Sequence, residues 1–233
     1  MPIETIESHS LLPDLIRRGG VVIDCGANLG AFSRVMVERF GCRVLAVEAS
    51  PDVCARIPRL PGLTTVNVAV CGVDGPVKLA VDEDITRTTI AQRAGDGRPV
   101  IEVPGRSLLA LLEEAGVSGD MEVLKLDIEG AELGVLDSLP DELFGRIGQL
   151  TIEFHDFLGY HTTAEVEQRV ARILRLGFRE LFWSRRRNTA DVLLVNNCRL
   201  GALRHAIEQR VFRLARALGR LPRRIGAWSR PNA

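Results

Sequence analysis

Along most of the chain, short apolar runs alternate with segments whose apolar residues recur every three or four positions. Residues 21–25 form a run rich in β-branched side chains, which predicts a buried strand, and residues 29–40 follow with helical spacing. Residues 43–47 are strand-like again. A short helix is expected over 51–59, with Ser50 as its cap and Pro51 at its first position. Residues 63–70 alternate as one strand. Two extra strands are expected at 77–81 and 100–103, on either side of a polar stretch holding Gly95 and Gly97. Further on come a helix at 108–115, a strand at 123–127, a helix at 131–136 and a strand at 149–154. A helix opens at Thr163 and is stopped by Gly177. Residues 179–183 and 191–195 read as two final strands, joined as a hairpin around 185–188.

Strands alternating with helices predict an α/β fold of the Rossmann-like kind: a mainly parallel sheet, helices on both faces and an antiparallel edge from the last hairpin. No linker divides the chain before Cys198, so residues 1–198 are expected to form one domain. A chain of 233 residues buries enough surface to need no disulfide. Its five cysteines form no CxxC pair, which suits free thiols in a reducing cytoplasm. Residues 1–10 have neither the basic start nor the apolar core of a signal peptide.

Zero net charge conceals an asymmetry. Residues 199–233 carry nine arginines against the single acid Glu208, a charge of +8, leaving −8 on the rest. Leu200, Leu203, Ile207, Val211, Leu214, Leu218, Leu221 and Ile225 step by three and four, giving an amphipathic basic helix that Pro222 interrupts. Such a tail is expected to meet a membrane surface peripherally, on the inner face of a cytoplasmic membrane, or to dock on the acidic body or a second subunit. Nucleic acid is not expected as a partner, because the tail lacks interleaved aromatics and the acidic body would oppose binding.

The chemistry concentrates in two places. The run Asp24-Cys25-Gly26-Ala27-Asn28-Leu29-Gly30 takes a buried strand through an acid and a glycine turn into a helix. Ligands of open α/β sheets bind there, beyond the carboxyl ends of the strands. Gly26 allows a tight turn with close ligand approach, Gly30 allows close packing of the helix, and Asp24 offers a carboxylate to an ammonium group. About twenty residues on, Glu48 ends the next strand, at the spacing where a carboxylate takes both ribose hydroxyls. A nicotinamide dinucleotide would want a second glycine where Asn28 stands, and no acid beside its pyrophosphate. S-adenosylmethionine has no phosphate and carries a positive ammonium and sulfonium, so an acid-rich loop suits it.

The second concentration is Leu124-Lys125-Leu126-Asp127-Ile128-Glu129-Gly130-Ala131-Glu132, followed by Glu153-Phe154-His155. Asp127 ends a strand on the ligand-binding rim. Glu129 and Glu132 are partly accounted for by a helix start, which favours acids. Alternation puts Glu153 and His155 on one face. His155 is the side chain suited to proton transfer, His161 is a weaker candidate, and His9 and His205 are remote from the motifs. Asp127, Glu153 and His155 could bind a divalent metal, but nothing in the spacing demands one, and a metal is not the favoured expectation.

These residues resemble the FkbM family of methyltransferases. The resemblance rests on the D-x-G-A-N-x-G loop, Glu48, Asn67-Val68-Ala69-Val70 and, as its specific part, L-K-L-D-I-E-G-A-E with the later E-x-H; it covers roughly residues 21–156, with a weaker echo to 195. It implies O-methylation of hydroxyls on sugars, glycans or secondary metabolites with S-adenosyl-L-methionine. It implies that Asp24, Gly26, Asn28 and Gly30 line the methionine part of the cofactor and that Glu48 holds the ribose. Backbone near Ala69 and Val70 would face the adenine. Asp127, Glu129, Glu153 and His155 would border the acceptor, with Asp127 also beside the cofactor. The residues themselves, rather than the resemblance, make His155 the candidate base, with Glu153 or Asp127 orienting it or the acceptor. A non-catalytic cofactor-binding scaffold with a partner-recruiting tail and, more distantly, a nicotinamide oxidoreductase stay open.

Overall fold

The structure, a computed structural model, describes residues 2–81, 88–90, 99–156, 159, 161–184 and 190–202. The expected loop around Gly95 and Gly97, the hairpin turn at 185–188 and almost all of the basic tail lie outside these residues.

Two short strands open the chain, β1 (Glu4–Ile6) and β2 (His9–Leu11). The alternating units follow: β3 (Val21–Cys25), α1 (Ala31–Glu38), β4 (Arg43–Glu48), α2 (Pro51–Cys54) and β5 (Leu63–Asn67). A small insertion comprises β6 (Ala69–Cys71), β7 (Gly75–Val81), β8 (Thr88–Ile90) and β9 (Val100–Ser107). The chain then resumes with α3 (Leu108–Glu114), β10 (Met121–Leu126), α4 (Glu132–Ser138), α5 (Asp141–Phe144), β11 (Ile147–Phe154), α6 (Thr163–Arg175), β12 (Phe178–Trp183) and β13 (Ala190–Asn196).

The main sheet has the order β12-β13-β11-β10-β3-β4-β5. Strands β11, β10, β3, β4 and β5 are parallel. The predicted hairpin forms, and its second strand β13 inserts between β11 and β12, antiparallel to both. The reversed strand therefore lies one place in from the edge. Burial follows position. Every residue of β10 is buried, and so is every residue of β11 except Glu153, because helices or other elements cover both faces of these strands. The edge strands β5 and β12 are half exposed.

Alternation along the strands sorts the core into two faces. Ile23, Leu45 and Leu124 pack with α3, α4 and α6 through Leu108, Leu112, Leu136, Val166 and Ile173. Val22, Val44 and Val123 face Phe32 and Met36 of α1, together with Ile6 and Leu11 of the N-terminal hairpin. That hairpin packs beside α1 on this face of the sheet, and Leu12 just beyond it packs on Leu193 and Val195 of β13 together with Leu200. Ser10 N–H donates to Asp191, and Leu12 exchanges two hydrogen bonds with the Gln149 side chain, all buried. The sequence pattern gave no strand here.

Residues 63–70, expected as one strand, are two. Strand β5 ends at Asn67, whose amide donates to the Glu48 and Ala49 carbonyls, and β6 leaves for the second sheet, ordered β6-β9-β7-β8. No helix among the described residues is long and apolar enough to cross a membrane.

Candidate functional site

From β3 the chain moves one way to β4 and β5, and from β10 the other way to β11. The strand order reverses between β3 and β10, and a crevice opens beyond the carboxyl ends of the two strands. Its two lips are the Gly26 loop and the Asp127 loop. They meet so closely that a Cβ on Gly26 would collide with the Asp127 carbonyl oxygen, and Gly26 stands at φ +78°. Glycine is required here on both counts. Gly30, at φ +77°, caps α1 and packs on Ile57 and Pro58.

The crevice opens into a cleft lined by Gly26, Asn28, Glu48, Ala69, Asp127 and Glu129, among others. The insertion supplies one wall. Ala69 and Leu79 belong to a small core of their own and line the cleft. Glu48 is held from behind: one carboxylate oxygen accepts from Asn28 N–H and the other from Ser50 N–H, both at 2.8 Å. Burial outweighs these bonds and raises its pKa. Two of its roughly four lone-pair sites are used, which leaves capacity for two hydroxyls. Asn28 owes its place to its φ of +51° and its backbone N–H.

Asp24 does not reach the cleft. It is fully buried, accepts from Ser33 Oγ at 2.6 Å and pairs with Lys125 Nζ at 3.0 Å. The expected direct contact with a ligand ammonium is therefore corrected. Asp24 is the counter-charge of a buried lysine, and that lysine does the local work. Lys125 donates to the Gly26 carbonyl at 2.8 Å and lies 3.5 Å from Asp127, so one cation ties the first loop to the second. Burial opposes its charge, but Asp24 and Asp127 prevail and raise its pKa.

Around Asp127 the structure gathers Glu129, Glu153, His155 and His9. His9 Nε2 is 3.2 Å from Asp127 Oδ2; a carboxylate only accepts, so Nε2 carries the proton. Burial favours a neutral Asp127, yet the Lys125 charge and the His9 hydrogen bond hold its pKa well below the usual carboxylate range. His155 is buried, and its Nδ1 is 2.8 Å from Glu132 Oε1. Burial disfavours the imidazolium, but Glu132, Glu129 and Asp127 together lift the pKa to about 9. The expectation of His155 as base meets this field, which favours the protonated ring. Burial and the neighbouring charge of Asp127 push Glu153 up to about 7. The orienting partner of His155 is Glu132, not Glu153 or Asp127. Glu132 is fully buried, and the same oxygen accepts from Ile128 and Gly130 N–H, so it shapes the loop as well.

Sequence reasoning gave Lys125 no role and missed His9 and Glu132. His9 is 118 residues from Asp127, and only the docking of the N-terminal hairpin brings it in. Glu132 had a signal, its place in the E-G-x-E segment, but a helix start explained it equally well. His161 bonds the Gly130 carbonyl at 2.9 Å and supports the loop. His205 lies outside the described residues.

A family model described as the methyltransferase FkbM domain matches residues 24–180. The chain is 24% identical over 169 residues to a Beauveria bassiana protein named Methyltransferase 1, across 62% of this chain and 68% of that one. Among solved structures it is similar to the fibrillarin pre-rRNA processing protein of Methanococcus jannaschii, with TM-score 0.49, 11% identity and coverage of 81% and 70%. It is also similar to a TehB-like SAM-dependent methyltransferase of Corynebacterium glutamicum, with TM-score 0.43, 10% identity and coverage of 80% and 88%. The family match spans both lips of the cleft, from Asp24 past His155, and the chain belongs to the FkbM methyltransferase family, with S-adenosyl-L-methionine as its methyl donor.

Proposed function

We propose that the protein methylates a hydroxyl group on a sugar, glycan or secondary metabolite, with Glu153 as the proton acceptor. One observation carries this reading. Glu153 is the single partly exposed residue of β11, its carboxylate lies within 4.8 Å of that of Asp127, which lines the cleft, and its side chain makes no hydrogen bond with the described residues. A carboxylate with unused lone pairs beside the cofactor cleft suits removal of a hydroxyl proton. His155 has Nδ1 engaged by Glu132 and is better placed to orient the acceptor than to deprotonate it.

When bound, the cofactor supplies a methyl group on a good leaving group, the sulfonium. The acceptor hydroxyl would take that methyl group, and Glu153 would accept its proton. Much of the rate then comes from holding the two reactants in line. Glu48, Asn28 and the Ala69 wall would hold the donor from one side, and Asp127 and His155 would border the acceptor from the other.

Formation of S-adenosylhomocysteine with a panel of hydroxylated sugars tests this. Glu153→Gln should lower kcat by about 100-fold or more, the usual range for a general base, with donor affinity unchanged. A variant as active as the parent, or turnover confined to amine acceptors, would sink the reading. Donor binding without turnover on any acceptor would instead support a scaffold.

We also propose that the basic stretch 199–233 brings the enzyme to an anionic membrane surface, on the strength of its +8 charge and its apolar steps of three and four. Co-sedimentation with anionic vesicles, lost on truncation after Cys198, checks this.

A further inference from the structure

The surroundings of His155 differ from those of an ordinary buried histidine. Its Nδ1 faces a fully buried carboxylate, Glu132, at 2.8 Å. A carboxylate only accepts, so Nδ1 carries the hydrogen and Nε2 is directed away from Glu132. On that side stand two carboxylate oxygens, Glu129 Oε2 at 3.5 Å and Asp127 Oδ1 at 3.8 Å, and each of the three residues offers a ligand atom within 4.8 Å of the others. These separations are long for direct hydrogen bonds. They are close to the edges of a coordination polyhedron, since ligands about 2.1 Å from one ion stand roughly 3.0–3.4 Å apart. The carboxylate behind the ring is the arrangement that fixes the tautomer and orientation of a metal-ligating histidine.

The two oxygens of Asp127 are unlike. Oδ2 faces Lys125 Nζ at 3.5 Å and His9 Nε2 at 3.2 Å, so that side already holds one cation and one donor. Oδ1 faces His155 and Glu129. The cluster of His9, Asp127 and Glu153 is the poorer metal site, because Lys125 crowds it and His9 Nδ1 has no hydrogen-bond partner among the described residues.

We propose that Asp127 Oδ1, Glu129 and His155 Nε2 bind one divalent cation of the Mn²⁺ or Mg²⁺ class, with Glu132 behind the imidazole. Two carboxylates and one imidazole are the donor set of such ions, and the nitrogen favours Mn²⁺ over Mg²⁺. Asp127 and Glu129 are each partly exposed and line the cofactor cleft, which gives the ion an entry path and open positions for water or an acceptor oxygen. There it would polarise the acceptor hydroxyl, whose proton Glu153 takes. That role rests on the methyl-transfer reading, whereas the binding itself does not.

The test is titration of the metal-stripped full chain with Mn²⁺, read by the electron paramagnetic resonance signal of the free ion. One Mn²⁺ per chain is expected. Glu129→Gln and His155→Gln should each weaken it at least tenfold, and Glu132→Gln should weaken it about 10- to 100-fold, the usual effect of removing a partner behind a ligand. Circular dichroism shows whether each variant is folded; Glu129→Gln, on a partly exposed loop, stays informative if His155→Gln unfolds. Absence of Mn²⁺ binding overturns the proposal, as does binding indifferent to Glu129→Gln or lost only in Glu153→Gln. A parallel titration with S-adenosylmethionine separates the two readings. If the donor binds and Mn²⁺ does not, this inference falls and the methyltransferase reading stands; if folded protein binds neither, both fall.

Discussion

At the residue scale, single positions in this site serve two loops at once. Gly26 yields space to the Asp127 carbonyl, and Lys125 bonds the Gly26 carbonyl while balancing Asp24 and Asp127. Lys125→Met should therefore cost about 3–5 kcal/mol, because it leaves the fully buried Asp24 without its partner. Asp24→Asn in the Lys125→Met background should recover part of the loss in chemical denaturation. Glu48 has a simpler role. Two backbone N–H groups position it, and its remaining lone pairs face the cleft. Loss of charged hydrogen bonds to a ribose costs about 2 kcal/mol or more, so Glu48→Ala should weaken donor binding about 30-fold in calorimetric titration. The motifs made Gly26, Glu48 and Asp127 legible. The role of Asp24 was not, because a strand-end acid reads alike whether it faces a ligand or a lysine 101 residues away.

At the element scale, local signals worked where a cap marked the boundary. Helix α6 begins with a complete capping box: Thr162 Oγ1 accepts from Glu165 N–H, and the Glu165 carboxylate accepts from Thr162 N–H. Thr162→Ala should cost about 1 kcal/mol and lower Tm by about 2–4 °C, measured by thermal unfolding, with donor binding unaffected. Local signals failed where one run of sequence was shared between sheets. Residues 63–70 keep strand alternation throughout, so nothing in the run marks Asn67 as the point where β5 ends. The break is set by tertiary contacts, the Asn67 amide on the Glu48 and Ala49 carbonyls. Helix α1 starts at Ala31, two residues later than its periodicity suggests, because Gly30 takes the left-handed conformation at its cap.

At the scale of the molecule, the N-terminal hairpin packs beside α1 on one face of the sheet and carries His9 to Asp127. Its anchors are buried: Ser10 N–H on Asp191, and Leu12 on Gln149 at both its N–H and its carbonyl. The Ser10 and Leu12 amides should consequently exchange with solvent about as slowly as those of β10 and β11, measured by native-state hydrogen exchange. Exchange at the rate of a frayed terminus would mean that the hairpin undocks and that His9 belongs to the site only part of the time.

Sequence alone was enough for the alternation of strands and helices, the reversed final hairpin, the glycine turn and the acids on the rim. These depend on interactions between residues close along the chain, namely periodicity, caps and turn conformations. The tertiary structure decided which strands are neighbours, that β13 inserts between β11 and β12, that Asp24 faces Lys125, and that His9, Glu129, Glu153 and His155 converge on Asp127. Each of these depends on groups far apart in sequence, and on burial and charge pairing that exist only once the sheet has assembled.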